Sequence, residues 1–521
     1  MKKLADLKRE DVGKRFEILC KVDSIFQSTG PTIFTLNDGT AGIKSVKFSK
    51  ERGKRAYPEI LEGDLISAEI RVTVRDGDLE CILDSYSKLD DKNKSAASKL
   101  IEKNQDQQSQ PQGDSFLVKS EIYEGLRSRF VSVAKTINKA IIDGRPILIR
   151  HHADCDGYCA ALSIERAILP LIANRRGSDK AAWQYFKRSP SRTPFYDYSD
   201  ATKDVAFFLT DSGRFSRPAP LIILMDLGSS EENLLSIKKA KLFGAKVVVV
   251  DHHNPGPIVD GGAKVDYFLD AHINPQLIGY GSTPCAGMLG LELGKMLNPE
   301  VDFIDHLGAL AGIADHADKS LKDEYIAIAV KDGYDLDFLV KLVRCFDYDA
   351  YYVSFFEARE FIDMILCTDK KRQKEFVNVM LERVEETWDM NIPVAEKYLS
   401  IDESDNSVIG TINVSDTTMR GDYFSSSKMA RLSFDLLEKR FKGKEIVVLG
   451  VADTMMTFRG SVDFKIGSKG FDVNDIIRSV KKDLPHAMCG GGGHALAGTM
   501  SFIAAARDEV IGYVKNYIKG D

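Results

Sequence analysis

At 521 residues the chain is too long for one hydrophobic core, so about two to four domains are expected. Its 44% hydrophobic and 28% charged residues are ordinary for a globular protein, and a net charge of −6 excludes nucleic-acid binding through bulk positive charge. No 18-residue apolar run, no N-terminal signal pattern and no C-x-x-C pair among the eight cysteines occur, which predicts a cytoplasmic protein without a membrane span, disulfide framework or zinc ribbon.

Residues 1–90 read as all-β. Apolar and polar residues alternate over 15–26, 31–36, 41–48, 65–75 and 79–87, with hairpin turns at Asn37-Asp38-Gly39 and Arg75-Asp76-Gly77. Five short strands in that length suit a small Greek-key barrel similar to an OB-fold. Such barrels hold single strands through aromatics and a basic groove. Phe26, Phe34 and Phe48 are the candidate aromatics, with Lys44, Lys47, Lys50, Arg52, Lys54 and Arg55 nearby. For each phenylalanine, barrel core is the stronger reading, and docking of a protein partner is the alternative for the whole module. Residues 91–114, rich in Lys, Gln, Asn and Ser, are expected to form a flexible linker.

Residues 115–320 alternate strand and helix as a parallel-sheet α/β domain does. Four clusters carry acids and histidines to where strands should end: 147–157, 221–226, 247–253 and 311–315. In three of them a short apolar run, read as a buried strand, gives way to a ligand-type side chain. In a doubly wound sheet such positions converge at the carboxyl edge, where ligands bind. Asp154, Asp156, Asp226 and Asp315 supply four carboxylates, and His151, His152, His252 and His253 up to four imidazoles. Hard oxygen mixed with borderline nitrogen suits two divalent ions of the Mn²⁺ or Mg²⁺ type. Four negative charges against two dications leave a near-neutral site that accepts a phosphate, which points to a metallo-phosphoesterase. No Ser/His/Asp or Cys/His arrangement is evident in the sequence. Helices are expected from Tyr158, from Glu231 and from about Pro284, with Ser229-Ser230 and Ser282-Thr283 as N-cap candidates. His272, His306, His316 and His486 read as satisfied structural histidines.

Residues 171–200 interleave Arg175, Arg176, Lys180, Lys187, Arg188 and Arg192 with Trp183, Tyr185, Phe186, Phe195, Tyr196 and Tyr198. A stacking platform for single strands and a half-buried strand with a solvated face are equally good readings. Residues 321–395 read as a helical connector. Residues 396–521 return to β/α, with strands at 407–414, 445–452 and 455–458, and the run Gly490 to Gly493 before His494 lets backbone N–H groups approach a phosphate.

Taken in order, His152-x-Asp154-x-Asp156-Gly157, Asp226, Asp251-His252-His253, Asp315 and Gly490 to His494 resemble the DHH phosphoesterase superfamily over roughly residues 115–500. Ile273-Asn274-Pro275, Cys285-Ala286-Gly287 and Phe471-Asp472-Val473-Asn474 make the chain most similar to the RecJ-like single-strand exonucleases, notably the archaeal ones. The resemblance implies a DHH catalytic domain (115–320), a smaller β/α DHH-associated substrate-binding domain (396–521), and an active site in the cleft between them. It implies that His152, Asp154 and Asp226 hold one metal and that Asp156, Asp226, His252 and Asp315 hold the other, Asp226 bridging. Asp154, Asp156, Asp226, His252, His253 and Asp315 would be catalytic. Substrate phosphate would meet His253, Arg459, Gly491, Gly492, Gly493 and His494, while Asp251 orients an imidazole. His152 stands where bacterial enzymes often carry Asp, and His151 has no counterpart. The activity implied is two-metal hydrolysis of single-stranded DNA or RNA to mononucleotides, Mn²⁺ preferred over Mg²⁺, in repair or replication beside a partner such as a helicase complex. The rivals are a phosphodiesterase of short oligoribonucleotides or cyclic dinucleotides, and a catalytically silent scaffold.

Overall fold

Alternating residues of the first strands close a barrel around Ile18, Cys20, Val22, Phe34, Leu36, Ile66, Ile70 and Leu83. Its strands are β1 (Arg15–Gln27), β2 (Thr32–Asn37), β3 (Gly42–Lys47), β4 (Leu65–Arg75) and β5 (Asp78–Lys88), closed in the order β1-β2-β3-β5-β4. The structure is a computed structural model describing residues 2–520 except 52, 76, 177, 192, 216, 303, 354–357 and 420, so Arg52, Asp76 and Arg192 lie outside the described residues. Two compact units emerge, one built on Met1–Tyr334 and one on Asp335–Ser354 with Ala358–Asp521.

The barrel answers the aromatic question individually. Phe34 is core at 0% exposure, Phe26 is half-buried, and Phe48 stands 69% exposed. Lys47 donates to the Asp84 carbonyl and lies over the Tyr57 ring. Burial pushes the Lys44 ammonium down to about 8.

The stretch expected as a flexible linker is instead a helix, α1 (Asp91–Ser109). Asp90 caps it by accepting from the Asn93 N–H. Its few apolar residues are placed to be used: Ala97 and Ile101 are buried, Asn104 donates to the Asp38 carbonyl, and Gln105 donates to Asp143. At Gly39 (φ +80°) a Cβ would meet the Ile101 carbonyl at 2.1 Å, so the β2–β3 turn takes glycine for two reasons.

The first unit continues with α2 (Glu121–Ile142), β6 (Ile147–His152), α3 (Cys155–Arg176), α4 (Asp179–Ala182), β7 (Phe186–Ser191), α5 (Tyr198–Phe215), β8 (Leu221–Met225), α6 (Leu234–Leu242), β9 (Lys246–Val250), β10 (Ala271–Ile273), α7 (Ala286–Leu297), α8 (Leu307–Ala314) and α9 (Lys319–Lys331). The strands form one parallel sheet in the order β10-β9-β8-β6-β7. All five residues of β8 are fully buried, as a central strand covered on both faces requires. From β6 the chain steps one way to β7, then back to β8 and on to β9 and β10. The switch point therefore lies between the carboxyl ends of β6 and β8.

The basic and aromatic stretch is chiefly packing. Tyr185, Phe186 and Tyr196 are buried, and the fully buried Arg188 donates to Glu165. Arg175 and Arg176 donate to the barrel carbonyls of Thr40 and Gly42, and the Tyr185 hydroxyl donates to Asp78. The Tyr185 ring has the guanidinium groups of Arg176 and Arg217 each 4.5 Å from its centre. Only Trp183 (42%) and Tyr198 (54%) of the six aromatics are exposed enough to stack on a ligand.

The second unit opens with α10 (Leu336–Val353), α11 (Arg359–Asp363) and α12 (Lys370–Tyr398). Then come β11 (Ser400–Glu403), β12 (Ser407–Asn413), α13 (Val414–Thr417), α14 (Ser426–Arg440), β13 (Glu445–Val451), β14 (Met455–Gly460), the short ribbon β15 (Lys465–Ile466) and β16 (Lys469–Gly470), α15 (Val473–Asp483), β17 (Gly490–His494), β18 (Ala497–Ser501) and α16 (Arg507–Lys519). The main sheet runs β11-β12-β13-β14-β18-β17, leaving the glycine run as its edge strand. Among the described residues no helix is long and apolar enough to cross a membrane.

Candidate active site

Asp226 is the first residue past β8, and its backbone sits in the left-handed region at φ +58°. A non-glycine residue there costs about 1–3 kcal/mol and persists only where the surroundings hold it. Here its N–H donates to the Val250 carbonyl, and its side chain is 2% exposed at the switch point.

Three groups of donor atoms, each within 4.8 Å of one another, share Asp226: with His152 and Asp154, with Asp156 and His252, and with Asp251 and His253. Nδ1 of His152 lies 2.8 Å from Asp154 and 3.3 Å from Asp226 Oδ2. That nitrogen and that oxygen are both buried without a hydrogen-bond partner. The His252 Nδ1–H donates to the Ser282 carbonyl (2.7 Å), which leaves Nε2 facing Asp226 at 3.2 Å and Asp156 at 3.6 Å. Between that nitrogen and the two carboxylates there must sit either a proton on Nε2 or a bound cation. The orphaned Asp226 oxygen and the converging carboxylate and imidazole donors fit divalent ions of the Mn²⁺ or Mg²⁺ type, which take both oxygen and imidazole ligands.

The protonation pattern reflects the same crowding. Burial, reinforced by Asp226, pushes Asp156 well above the carboxylate range, and burial pushes Asp315 up to about 6. For His252, burial opposes the charged form but Asp315, Asp226 and Asp156 outweigh it and hold the imidazole well above its ordinary value. For His152, burial is likewise outweighed, by Asp154 and Asp226. Asp154 and Asp251 overcome their burial and lie below the carboxylate range because His152 and His253 face them.

Several of these acids also cap helices. Asp154 accepts from the Gly157 N–H in the first turn of α3. Asp156 accepts from Ala286 and Gly287 at the start of α7. The N-caps expected of Ser229-Ser230 and Ser282-Thr283 are not made: neither Ser230 nor Cys285, the actual cap positions, gives a side-chain bond. A carboxylate from a distant motif is a stronger acceptor for two converging N–H groups than a local hydroxyl. Asp315 ends helix α8 rather than a strand, with Oδ2 3.7 Å from His252 Nδ1.

Asp251 is fully buried and every oxygen is used: Oδ1 accepts from the His252 and His253 backbone and from His253 Nδ1 (2.8 Å), and Oδ2 accepts from Ser229. His151, also fully buried, meets the His152 carbonyl through Nδ1 and sets its ring edge against Tyr158.

The remaining expected site residues belong to the second unit. Arg459, on β14, donates to Ser427 and to the Phe458 carbonyl, and burial, helped by Arg431, lowers it to about 10. Gly491 (φ +144°) and Gly493 (φ +149°) occupy strand conformations in which a Cβ would strike the β18 backbone at 2.1 and 2.5 Å. The glycine run is thus a tight edge strand rather than a loop, with His494 opposite Ala497 and Asn474 donating to the Gly493 carbonyl.

A parallel sheet with carboxylates and imidazoles crowded at its switch point defines an α/β protein whose donor set there fits a divalent metal. Residues 146–290 match the model of the DHH family, N-terminal domain. An uncharacterized protein of Methanocaldococcus jannaschii is 36% identical over 520 residues, covering 96% of this chain and 68% of that protein. A solved DHH domain, described as a member of the S1p family of ribosomal proteins, is 33% identical, with a TM-score of 0.76 over 82% of this chain and 99% of that one. The chain belongs to the DHH family. Thermus thermophilus RecJ in complex with Mn²⁺ shares the fold at 17% identity, with a TM-score of 0.50 over 76% of this chain and 55% of RecJ.

Proposed function

We propose that this chain is a metal-dependent phosphodiesterase, a RecJ-like exonuclease that degrades single-stranded DNA or RNA to mononucleotides. The observation that carries the reading is the sharing of Asp226 among three donor groups at the switch point, with an orphaned buried oxygen. His152, Asp154 and Asp226 would hold one divalent ion, and Asp156, Asp226, His252 and Asp315 the other. When bound, such a pair activates water and neutralises the attacking and leaving oxygens of a phosphodiester.

The protein's own residues supply orientation and charge. Asp226 is held rigidly by its backbone conformation and by Val250. Ser282 fixes the proton on His252 Nδ1, so Nε2 is the coordinating nitrogen. Asp251 fixes His253, whose ring would donate to the scissile phosphate. In the second unit, Arg459 and the run Gly491 to His494 would hold the strand's phosphates. The imidazole ligands favour manganese over magnesium as the metal.

The test is Mn²⁺-dependent degradation of 5′- and 3′-end-labelled oligonucleotides, DNA and RNA, single- and double-stranded, with Asp226→Ala as control. Single-strand laddering abolished by the substitution is expected. Hydrolysis of dinucleotides alone would replace this reading with a small-nucleotide phosphodiesterase, and no cleavage despite bound metal would leave a scaffold.

A further inference from the structure

Behind Asp251 lies a constellation that the sequence hides. Asp266 Oδ1 meets His272 Nδ1 at 2.7 Å, and His272 Nε2 meets Ser229 Oγ at 2.9 Å. This is the carboxylate, imidazole and hydroxyl order of a serine-hydrolase triad. Its surroundings exclude that chemistry. Ser229 is 0% exposed, and its Oγ already accepts from the Asn274 side chain at 2.9 Å. With Nδ1–H donating to Asp266, the neutral imidazole accepts the Ser229 hydroxyl proton at Nε2, and Oγ accepts from Asn274.

Ser229 and its donor Asn274 are both tied to the DHH segment. The Ser229 N–H donates to Asp251 Oδ2, the carboxylate that holds the His253 ring. Asn274, after donating to Ser229, donates its second amide hydrogen to the His253 carbonyl. Asp266 is anchored by the Ala263 N–H. The array thus joins the loop after β8, the end of β9 and the end of β10, three carboxyl-edge segments with no covalent reason to stay in register.

Resting on the phosphodiesterase reading, we propose that Asp266, His272 and Ser229 form a buried clamp that positions the Asp251–His253 pair, His272 being a positioning residue that never touches substrate. Groups that hydrogen-bond a metal ligand from behind change affinity or activity by about 10- to 100-fold when removed, and the same range is expected for those behind His253.

The experiment uses the full chain with Ser229→Ala, which keeps the N–H that binds Asp251, and with His272→Phe and His272→Gln. Mn²⁺-dependent cleavage of a labelled single strand is measured, together with the His253 ring resonances of ¹⁵N-histidine-labelled, metal-free protein. Both Ser229→Ala and His272→Phe are expected to lower kcat by about 10- to 100-fold with KM unchanged, and to shift the His253 Nδ1–H resonance. His272→Gln, which keeps an acceptor near Nε2, restores most of the rate. In a His253→Ala background, His272→Phe adds no further loss. An unshifted His253 resonance, or an undiminished extra loss in that background, overturns the clamp. If the wild type cleaves no strand, the phosphodiesterase reading falls, while the ring resonance still decides the clamp.

Discussion

Asp38 in the barrel and Asp226 on the parallel sheet are both buried aspartates in tight turns, yet they are treated oppositely. Asp38 Oδ1 accepts from the Thr40 N–H, the Thr40 hydroxyl and Ala41, and Oδ2 accepts from Leu4. Asp226 Oδ2 has no hydrogen-bond partner, and its neighbours include the further carboxylates Asp156 and Asp315, both pushed above the ordinary carboxylate value, chiefly by burial. A buried charge that serves the fold is surrounded by donors. One that serves a cation is surrounded by other acceptors, and the fold tolerates the resulting strain. The first region is complete by itself, whereas the second needs a partner.

The largest effect that breaks this comparison comes from Asp226→Asn. Activity should fall by at least about 100-fold, beyond the usual cost of losing a ligand's outer partner. Thermal unfolding without metal should occur at about the same temperature, since asparagine also tolerates the left-handed backbone at this position. Next, Mn²⁺ at a hundredfold excess over its Kd should stabilise the wild type by about 3 kcal/mol for each ion bound, read as a rise in Tm that Asp226→Asn abolishes. Asp38→Ala should do the reverse of Asp226→Asn. It leaves the Thr40, Ala41 and Leu4 donors unsatisfied and should destabilise by about 1–3 kcal/mol in denaturant melts, with kcat unchanged. The smallest effect concerns pH. Asp315 titrates at about 6 when folded, so the folded chain binds that proton more tightly than the unfolded one. The Asp315 contribution to metal-free stability should therefore grow as pH falls through 6 toward the ordinary carboxylate value, read as the difference in slope between the wild type and Asp315→Asn. Mn²⁺ affinity should weaken over the same window, because protons compete for the ligand.

Legibility in the sequence followed the range of the interaction. The strands β6, β8 and β9 were visible because a buried parallel strand writes a continuous apolar run, and the acids after them were visible because those runs end abruptly. The helix α1 was not. Its composition is that of a tether, and what orders it is Asp38 and Asp143, met across 66 and 38 residues. The helix caps of α7 come from Asp156, 130 residues upstream, so local hydroxyls misled. His272 read correctly as a satisfied histidine, but nothing in its neighbourhood reveals Ser229, 43 residues away, or the tie onward to Asp251. The glycine run was recognised as a backbone device, while its edge-strand geometry depends on pairing with β18.

The most direct test of the contrast between a self-sufficient and a cation-dependent acid cluster is calorimetric titration of Mn²⁺ into the metal-free full-length chain, beside Asp226→Asn and Asp38→Asn. The account predicts two ions bound per wild-type chain, loss of both in Asp226→Asn because that residue is shared, and unaltered binding in Asp38→Asn. Equal binding by the wild type and Asp226→Asn, or no binding by either, would contradict it.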